Sequence, residues 1–207
     1  MSANIDRSLE SVMIARDLLR EITPLRSDCG RLCGRACCEV DDPSAGMLLF
    51  PGEERLYDNV RMVALEGFPR AKTPLLQCSG SCDRNDRPLS CRVAPLTPAF
   101  RRGAVIVEMD RRCGAVCPLM DYGMQALRAD FIQAVREAAA ILARDPDCLT
   151  FIRGLTAHMD HIGFALAQAL LPAVVAPERP SALERAELEP DRPHSVAAEE
   201  QRDVQQR

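Results

Sequence analysis

Residues 29–38, CGRLCGRACC, contain four cysteines among glycines and arginines. The surrounding segment 27–45 has no hydrophobic period and offers almost no apolar surface to bury. Fixing the backbone of such a segment costs about 1–2 kcal/mol per residue. Something other than a hydrophobic core must therefore stabilise this part of the chain.

Two further groups of cysteines repeat this pattern. CSGSC occupies residues 78–82, with Cys91 nine positions later, and CGAVCP occupies residues 113–118. Thiolate ligands must come within about 2.3 Å of a metal ion, so loops would have to bring the separate groups together. Glycines beside the cysteines allow the tight backbone turns that such loops need. In a reducing compartment this pattern indicates a metal or redox site rather than a disulfide framework.

The spacing of the cysteines bears on which metal is bound. Structural zinc sites commonly use C-x2-C pairs, whereas the repeated unit of this chain is C-x3-C. Cys117-Pro118 is similar to the Cys-Pro that closes bacterial ferredoxin motifs. We therefore expect an iron–sulfur cluster, of the [4Fe–4S] type, with zinc as the alternative. Cys148 lies on an apolar helical stripe and is expected in the core, while the role of Cys113 stays open.

Charged residues near the cysteines are candidates for supporting roles. A centre with four thiolates carries about two negative charges, which nearby guanidinium groups would offset. Arg87 and Arg92 are the arginines that we expect to contact the bound group. We expect loop or capping roles for Glu39, Asp41 and Asp42. We expect His158 and His161 to lie on the surface of a helix.

Apolar spacing predicts helices at both ends of the chain. An N-terminal stripe predicts a helix over about residues 4–21. A longer stripe predicts a helix over 120–142, and Asp145-Pro146 supplies a cap and a first-turn proline for another helix that Pro172 ends. The short break between the last two helices predicts an antiparallel helical hairpin over about 119–172.

The middle and the end of the chain have a different character. Residues 60–66 and 104–109 carry β-branched residues with partial alternation and are predicted as strands of one small sheet. Residues 51–56 are predicted as a brief helical turn. Over 173–207 proline, glutamate and arginine replace large apolar residues, which is typical of a disordered tail.

These elements predict an α+β, predominantly helical fold in one metal-binding domain, residues 1–172. An irregular Cys-rich region over about 27–119, organised by metal and containing the small sheet, would pack against the N-terminal helix and the C-terminal hairpin. The sequence before residue 10 lacks the basic and apolar regions of a secretory signal, so we expect a cytoplasmic protein.

The cysteine groups and two neighbouring motifs resemble a known family. The cysteines of 29–38, LFPGEE at 49–54 and C-x4-R-P-x2-C-R at 82–92 are similar to the YkgJ-like cysteine-cluster family, a zinc- or iron-chelating domain. The resemblance covers about residues 27–119. It implies that eight cysteines are metal ligands: Cys29, Cys33, Cys37, Cys38, Cys78, Cys82, Cys91 and Cys117.

Composition narrows the range of partners. The net charge is −4 and aromatic residues make up 4% of the chain, which disfavours partners such as nucleic acids and anionic membranes. The sequence thus predicts a metal-binding protein in redox, electron-transfer or metal-handling work, with metal ions as ligands and a protein or redox partner left unidentified. Two alternatives stay open. One is an iron–sulfur-dependent enzyme that uses Glu53-Glu54 beside the cluster, and the other is a structural zinc-binding interaction module.

Overall fold

The computed structural model describes residues 2–27, 29–38, 46–66, 68, 72–78, 80, 82–114 and 116–175, and the side chains of 6–164 within these ranges. Residues Met1–Ala167 form one compact unit, and Gln168–Arg207 form a second. The predicted roles of Glu39, Asp41 and Asp42 lie outside the described residues. The predicted tail over 173–207 lies outside them from residue 176 onward, and its first three residues belong to a helix. The single domain 1–172 stays a prediction.

Helices occupy both ends of the described chain, as the apolar spacing predicts. The N-terminal helix α1 buries Val12 and Ala15 completely, and Leu19 just beyond its end is equally buried. The helices are α1 (Ser2–Leu18), α2 (Gly30–Cys33), α3 (Leu89–Val93), α4 (Leu119–Tyr122), α5 (Ala129–Leu142) and α6 (Pro146–Val175).

The prediction of one continuous helix over 120–142 is wrong. Gly123 follows α4 with φ 70° and ψ −169°, a conformation outside the helical region, and so the chain turns before α5 begins. The predicted end of α6 at Pro172 is also wrong, because the helix continues to Val175. A proline removes one backbone donor, and a helix can lose one hydrogen bond without ending.

The beginning of α6 is formed as predicted. Asp145 Oδ1 accepts hydrogen bonds from Cys148 N at 2.8 Å and from Ser8 Oγ at 2.8 Å, so the N-terminus of α6 is joined to α1. Side chains of α5 and α6 belong to one hydrophobic cluster, which includes Phe131 and Ile152. The antiparallel hairpin of these helices stays a prediction.

The strands form two antiparallel sheets, where a single small sheet was predicted. One sheet has three strands in the order β1 (Gly46–Leu48), β3 (Thr73–Gln77), β2 (Val60–Val63). The other pairs β4 (Leu96–Arg101) with β5 (Ala104–Met109). The two predicted strands therefore lie in different sheets, because each pairs with a strand that the sequence did not reveal.

Helices and sheets share a core in an α+β arrangement. Helix α5 contacts α1 and both strands of the two-stranded sheet, and α3 contacts α1, β1 and β4. Short 3-10 turns connect these elements, at Ala36–Cys38, Glu53–Leu56, Arg84–Asp86, Arg111–Cys113 and Met124–Ala126. None of the helices in the described part of the chain combines the length and apolar character needed to cross a membrane.

Candidate metal centre

The first group of cysteines lies on two short helical turns joined by a tight reversal. Cys29 precedes α2, Cys33 ends it, and Cys37 and Cys38 lie on the next 3-10 turn. Gly34 and Arg35 connect the two turns with φ of 61° and 64°, both left-handed. A left-handed arginine costs about 1 kcal/mol, which the rest of the structure must offset. The local backbone thus turns sharply between the two cysteine pairs.

The second group comes from the end of β3 and from α3. Cys78 follows β3 directly, and Cys91 lies within α3. Gly80 has φ +85°, and a Cβ added to it would lie 3.9 Å from the Cys38 carbonyl oxygen. Gly80 therefore lies against the backbone of the first group.

The third group begins where β5 ends. Asp110 follows β5, and its carboxylate accepts from Arg112 N at 3.0 Å, which fixes the 3-10 turn that carries Cys113. Cys117 N donates to Cys113 O at 2.9 Å, so these two cysteines lie on one turn. Cys117 also packs against the hydrophobic core.

In the first two groups, the thiols of Cys37, Cys78 and Cys91 lie close enough to other cysteines for their pKa values to be raised. The pKa of Cys91 lies well above its ordinary value, first because of burial and then because of the charges of Cys78, Cys82, Cys38 and Cys37. Bringing thiolates together without a cation is unfavourable, and this repulsion is the cause of the further rise in pKa.

The pKa of Cys37 is raised by the other three cysteines of the first group, which therefore lie near it. It is raised to about 12 by partial desolvation, by Cys38, whose sulfur lies 4.0 Å away, and then by Cys33 and Cys29. Because Cys37 and Cys38 also raise the pKa values of thiols in the second group, the two groups lie close to each other.

The third group joins the same region through Cys113. Burial and the neighbouring Asp110 raise the pKa of Cys113 to about 12, with smaller contributions from Cys117 and Cys37. All eight cysteines that the resemblance implies as ligands thus belong to one region, and Cys113 belongs with them. Cys148 does not: it is fully buried in the core, as predicted.

The thiols are gathered without forming a finished coordination site. Within the described residues, no group of three or more His, Cys, Asp or Glu side chains has the spacing of a metal centre. The sulfur atoms of Cys37 and Cys38 lie 4.0 Å apart. Two thiolates bound to one tetrahedral zinc ion would lie about 3.8 Å apart, so this pair is close to the spacing of two zinc ligands.

Of the two arginines predicted to contact the bound group, only Arg87 faces the thiols. Its side chain forms a hydrogen bond with Cys82, and its pKa is raised by the thiolate charges of Cys82, Cys38 and Cys91 against the opposing effect of burial. Its Nε is buried and has no hydrogen-bond partner among the described residues. Arg87 therefore has a free donor at the edge of the thiol region.

The structure places Arg92 elsewhere. Its guanidinium donates to three backbone carbonyls, those of Arg87 at 2.9 Å, Asn85 at 2.7 Å and Arg16 at 3.3 Å. Arg84 donates in the same way to the carbonyls of Arg20 and Ile22. Both arginines thus bind carbonyls at or just after the C-terminal end of α1, where positive charge is favourable.

Glu53 is the main feature that sequence reasoning missed. It was considered as an acid beside the cluster, yet it is fully buried, and its Oε1 accepts from Leu89 N at 2.7 Å. The same oxygen lies 3.4 Å from Arg16 Nη1, and Oε2 accepts from Phe50 N at 3.2 Å. Glu53 therefore holds the first residue of α3, the helix that carries Cys91. In the sequence, the signal for it is an acidic pair that follows the apolar run 47–50 after Pro51 and Gly52.

The two histidines contact Glu66 on the surface of the protein. His158 Nδ1 lies 2.9 Å from the Glu66 carbonyl oxygen, and His161 forms an ion pair with the Glu66 carboxylate when it is protonated. These contacts fit the helix-surface position that the sequence favoured.

Comparisons with protein-family models, with curated proteins and with solved structures found no match to this chain. The function must therefore be argued from the residues themselves.

Proposed function

We propose that this protein binds metal through its cysteine groups and that the bound group is an iron–sulfur cluster. The observation that supports the proposal is the proximity of nine thiols from three separate segments, each of which either raises the pKa of another thiol or has its own pKa raised by one. A bound cation would convert these thiols to ligands, because it offsets the repulsion between their thiolate forms and so lowers their pKa values.

The residues fit such a group by their chemistry. All donors are soft sulfur atoms, which suit iron–sulfur clusters and zinc alike. Cys29, Cys33, Cys37, Cys38, Cys78, Cys82, Cys91 and Cys117 would hold the metal, and Arg87 would direct its free Nε donor at the thiolates or the cluster sulfides. The bound cluster would supply one-electron redox chemistry. The likeness to the YkgJ-like family supports the same proposal.

Electron transfer or metal handling fits the described site better than catalysis. Glu53 of the acidic pair considered for an enzyme is fully buried, and its carboxylate is already bound by two backbone amides and by Arg16. A structural zinc module is the second candidate, since the four-sulfur donor sets available here suit zinc equally.

The test is anaerobic purification of the full chain with analysis of iron, zinc and acid-labile sulfide. For iron–sulfur ligation we expect stoichiometric iron and sulfide, with a broad absorption band at about 400 nm. Zinc without sulfide would establish the structural module instead, and a protein without any metal would overturn the proposal.

A pair of matched variants tests the assignment of ligands. Cys37→Ser should lower the metal content and expose the middle of the chain to proteolysis, because thiolate–metal bonds can contribute about 10 kcal/mol or more per site. Cys148→Ser should leave the metal content unchanged and cost only core packing. Equal metal loss in both variants would contradict the division into ligands and core cysteines.

A further inference from the structure

A second candidate site lies at the C-terminal end of α1. It is a surface cavity of about 190 Å³ where this end of α1 meets the 3-10 turn Arg84–Asp86 and α3. Half of the residues that line it are arginines, and no cysteine is among them. The lining residues are Met13, Arg16, Asp17, Arg20, Asn85 and Arg92. The cavity is therefore basic and is formed without the thiols.

Two guanidinium groups of the cavity are held side by side on one oxygen. Arg92 Nη2 donates to the Asn85 carbonyl oxygen at 2.7 Å, and Arg16 Nη2 donates to the same oxygen at 3.2 Å. The bond from Arg92 lies at the surface of the protein. Each Nη carries two N–H groups, so Arg92 Nη2 keeps a second donor that a ligand can reach. Adjacent guanidinium groups in fixed positions are suited to binding oxyanions.

The positive charge at this end of α1 is only partly offset by carboxylates. Arg16 pairs with Glu53, and Arg20 pairs with Asp17. Arg84 and Arg92 form no ion pair with any residue that the structure describes, and their hydrogen bonds are to backbone carbonyls. The C-terminal end of a helix supplies about half a negative charge. An excess of more than one positive charge therefore remains beside the cavity.

From this arrangement we propose that the cavity binds the phosphate group of a small molecule. A phosphate group carries a charge of about −1.5 to −2 at pH 7 and three strong acceptor oxygens. Arg92 and the exposed Arg20 would donate to these oxygens, and the buried Arg16 would add its charge. Met13, which is 45% exposed, would contact the organic part of the ligand.

The excess charge is local, which favours a small ligand over a polyanion. The whole chain has a net charge of −4, and so long-range attraction of a nucleic acid is not expected. The site is also independent of the proposed metal, because none of its donors is a thiol.

Asp17 is the protein's own competitor for this site. It lines the cavity, and its carboxylate holds the Arg20 guanidinium. Removal of the Asp17 charge would free Arg20 for the ligand and end the repulsion between the carboxylate and the phosphate. An exposed ion pair of this kind contributes little to stability, so Asp17→Asn should fold normally and bind phosphate about two- to fivefold more tightly.

The test uses phenyl phosphate as the probe and benzoate as a counterpart with the same ring and a single charge. Calorimetry or protein-observed NMR on the full chain, as purified with its metal, gives the two dissociation constants. We expect phenyl phosphate to bind about tenfold more tightly, since it can accept a further charge-assisted hydrogen bond. Equal binding of the two probes, or no saturable binding of phenyl phosphate, would overturn the proposal.

Inorganic phosphate is a third probe, which distinguishes the source of the phosphate group. Weaker binding of inorganic phosphate than of phenyl phosphate is expected, because only the ester has a ring for Met13 to contact. The opposite order would support the same phosphate site with free phosphate as its ligand.

Two pairs of matched variants locate the binding. Asp6 and Arg55 form an ion pair elsewhere, and both pairs are exposed: the aspartates to 65% each and Arg20 and Arg55 to 58% and 51%. Arg20→Gln should weaken phenyl phosphate binding about two- to fivefold, whereas Arg55→Gln should not change it. Asp17→Asn should strengthen the binding, whereas Asp6→Asn should not.

The four variants change exposed side chains, so loss of folding is not expected to obscure the result. Binding that does not change in Arg20→Gln and Asp17→Asn would lie elsewhere, on the proposed metal for example, and would overturn the assignment. Equal effects of Arg20→Gln and Arg55→Gln would contradict it as well, because they would show that phosphate responds only to the overall charge of the protein.

Discussion

Replacement of Glu53 tests how the α3 segment is held. Glu53 receives hydrogen bonds from two buried backbone amides, those of Leu89 and Phe50, and it forms an ion pair with the buried Arg16. Glu53→Ala leaves all three donors without this acceptor. Each orphaned neutral donor costs about 1–3 kcal/mol, and breaking a buried ion pair by removing one partner costs about 3–5 kcal/mol. Because these costs overlap, we expect a loss of about 4 kcal/mol in the free energy of unfolding.

Because Glu53 titrates, its contribution to the free energy of unfolding depends on pH. Burial raises the pKa of Glu53 to about 7 from its ordinary 4.5, and the hydrogen bonds from Leu89 and Phe50 with the charge of Arg16 only partly oppose it. Between those two values the folded protein binds more protons than the unfolded chain, so stability falls as the pH rises from 4.5 to 7. A shift of 2.5 pH units corresponds to about 3 kcal/mol.

Glu53→Gln isolates this contribution, because glutamine has nearly the same shape and does not titrate. The free energy of unfolding is measured by chemical denaturation for wild type and variant between pH 4 and pH 8 under identical metal conditions. The difference, wild type minus variant, should fall by about 3 kcal/mol across this range. A difference that is independent of pH, or that rises with pH, would refute the placement of Glu53 as a buried carboxylate that ionises at a cost.

Three further outcomes follow from the contacts. Arg87→Gln should lower metal affinity about 10- to 100-fold in chelator competition, as loss of an outer hydrogen bond to a metal ligand does, while the exposed Arg55→Gln should not. Asp145→Ala should cost about 2–4 kcal/mol in denaturant unfolding, since it removes the α6 cap and the buried hydrogen bond from Ser8 Oγ, whereas a loss below about 1 kcal/mol would show that the cap is dispensable. Arg101→Gln should cost about 1 kcal/mol at low salt and less at about 1 M salt, because its bonds to Asp160 and Glu108 are partly exposed; an effect independent of salt would contradict this.

The parts of the fold that could be predicted from sequence are those with a strong local pattern. The stripe of α1 and the Asp145-Pro146 start of α6 depend on residues close in sequence, and both are present. Strands β3 and β4 were missed because each contains a proline, Pro74 and Pro98, which normally argues against a strand. Pro98 lies in a two-stranded sheet, where the absent donor can face away from the partner strand, and Pro74 is the second residue of β3.

The candidate site was only partly predictable, and the reason is physical. Cysteine spacing identifies candidate donors without regard to the fold, so the sequence alone names the thiols, and their role as metal ligands stays a prediction. The roles of Arg92 and Glu53 depend on what lies across the core from them. Arg92 could not be distinguished from Arg87 by sequence, although one binds backbone carbonyls near α1 and the other binds a thiol.

The cysteine groups differ in how the protein holds them before any metal is bound. The segment around Cys82 and Cys91 is fixed by residues from other elements, because Arg84 and Arg92 bind carbonyls near the end of α1 and Glu53 holds the start of α3. The two helical turns of 29–38, in contrast, bury none of their residues. Ordering those residues costs conformational free energy that apolar burial does not repay. On the proposed function, the 82–92 segment is therefore the preformed half of the site, and the first cysteine group is the part whose order depends on the metal it binds.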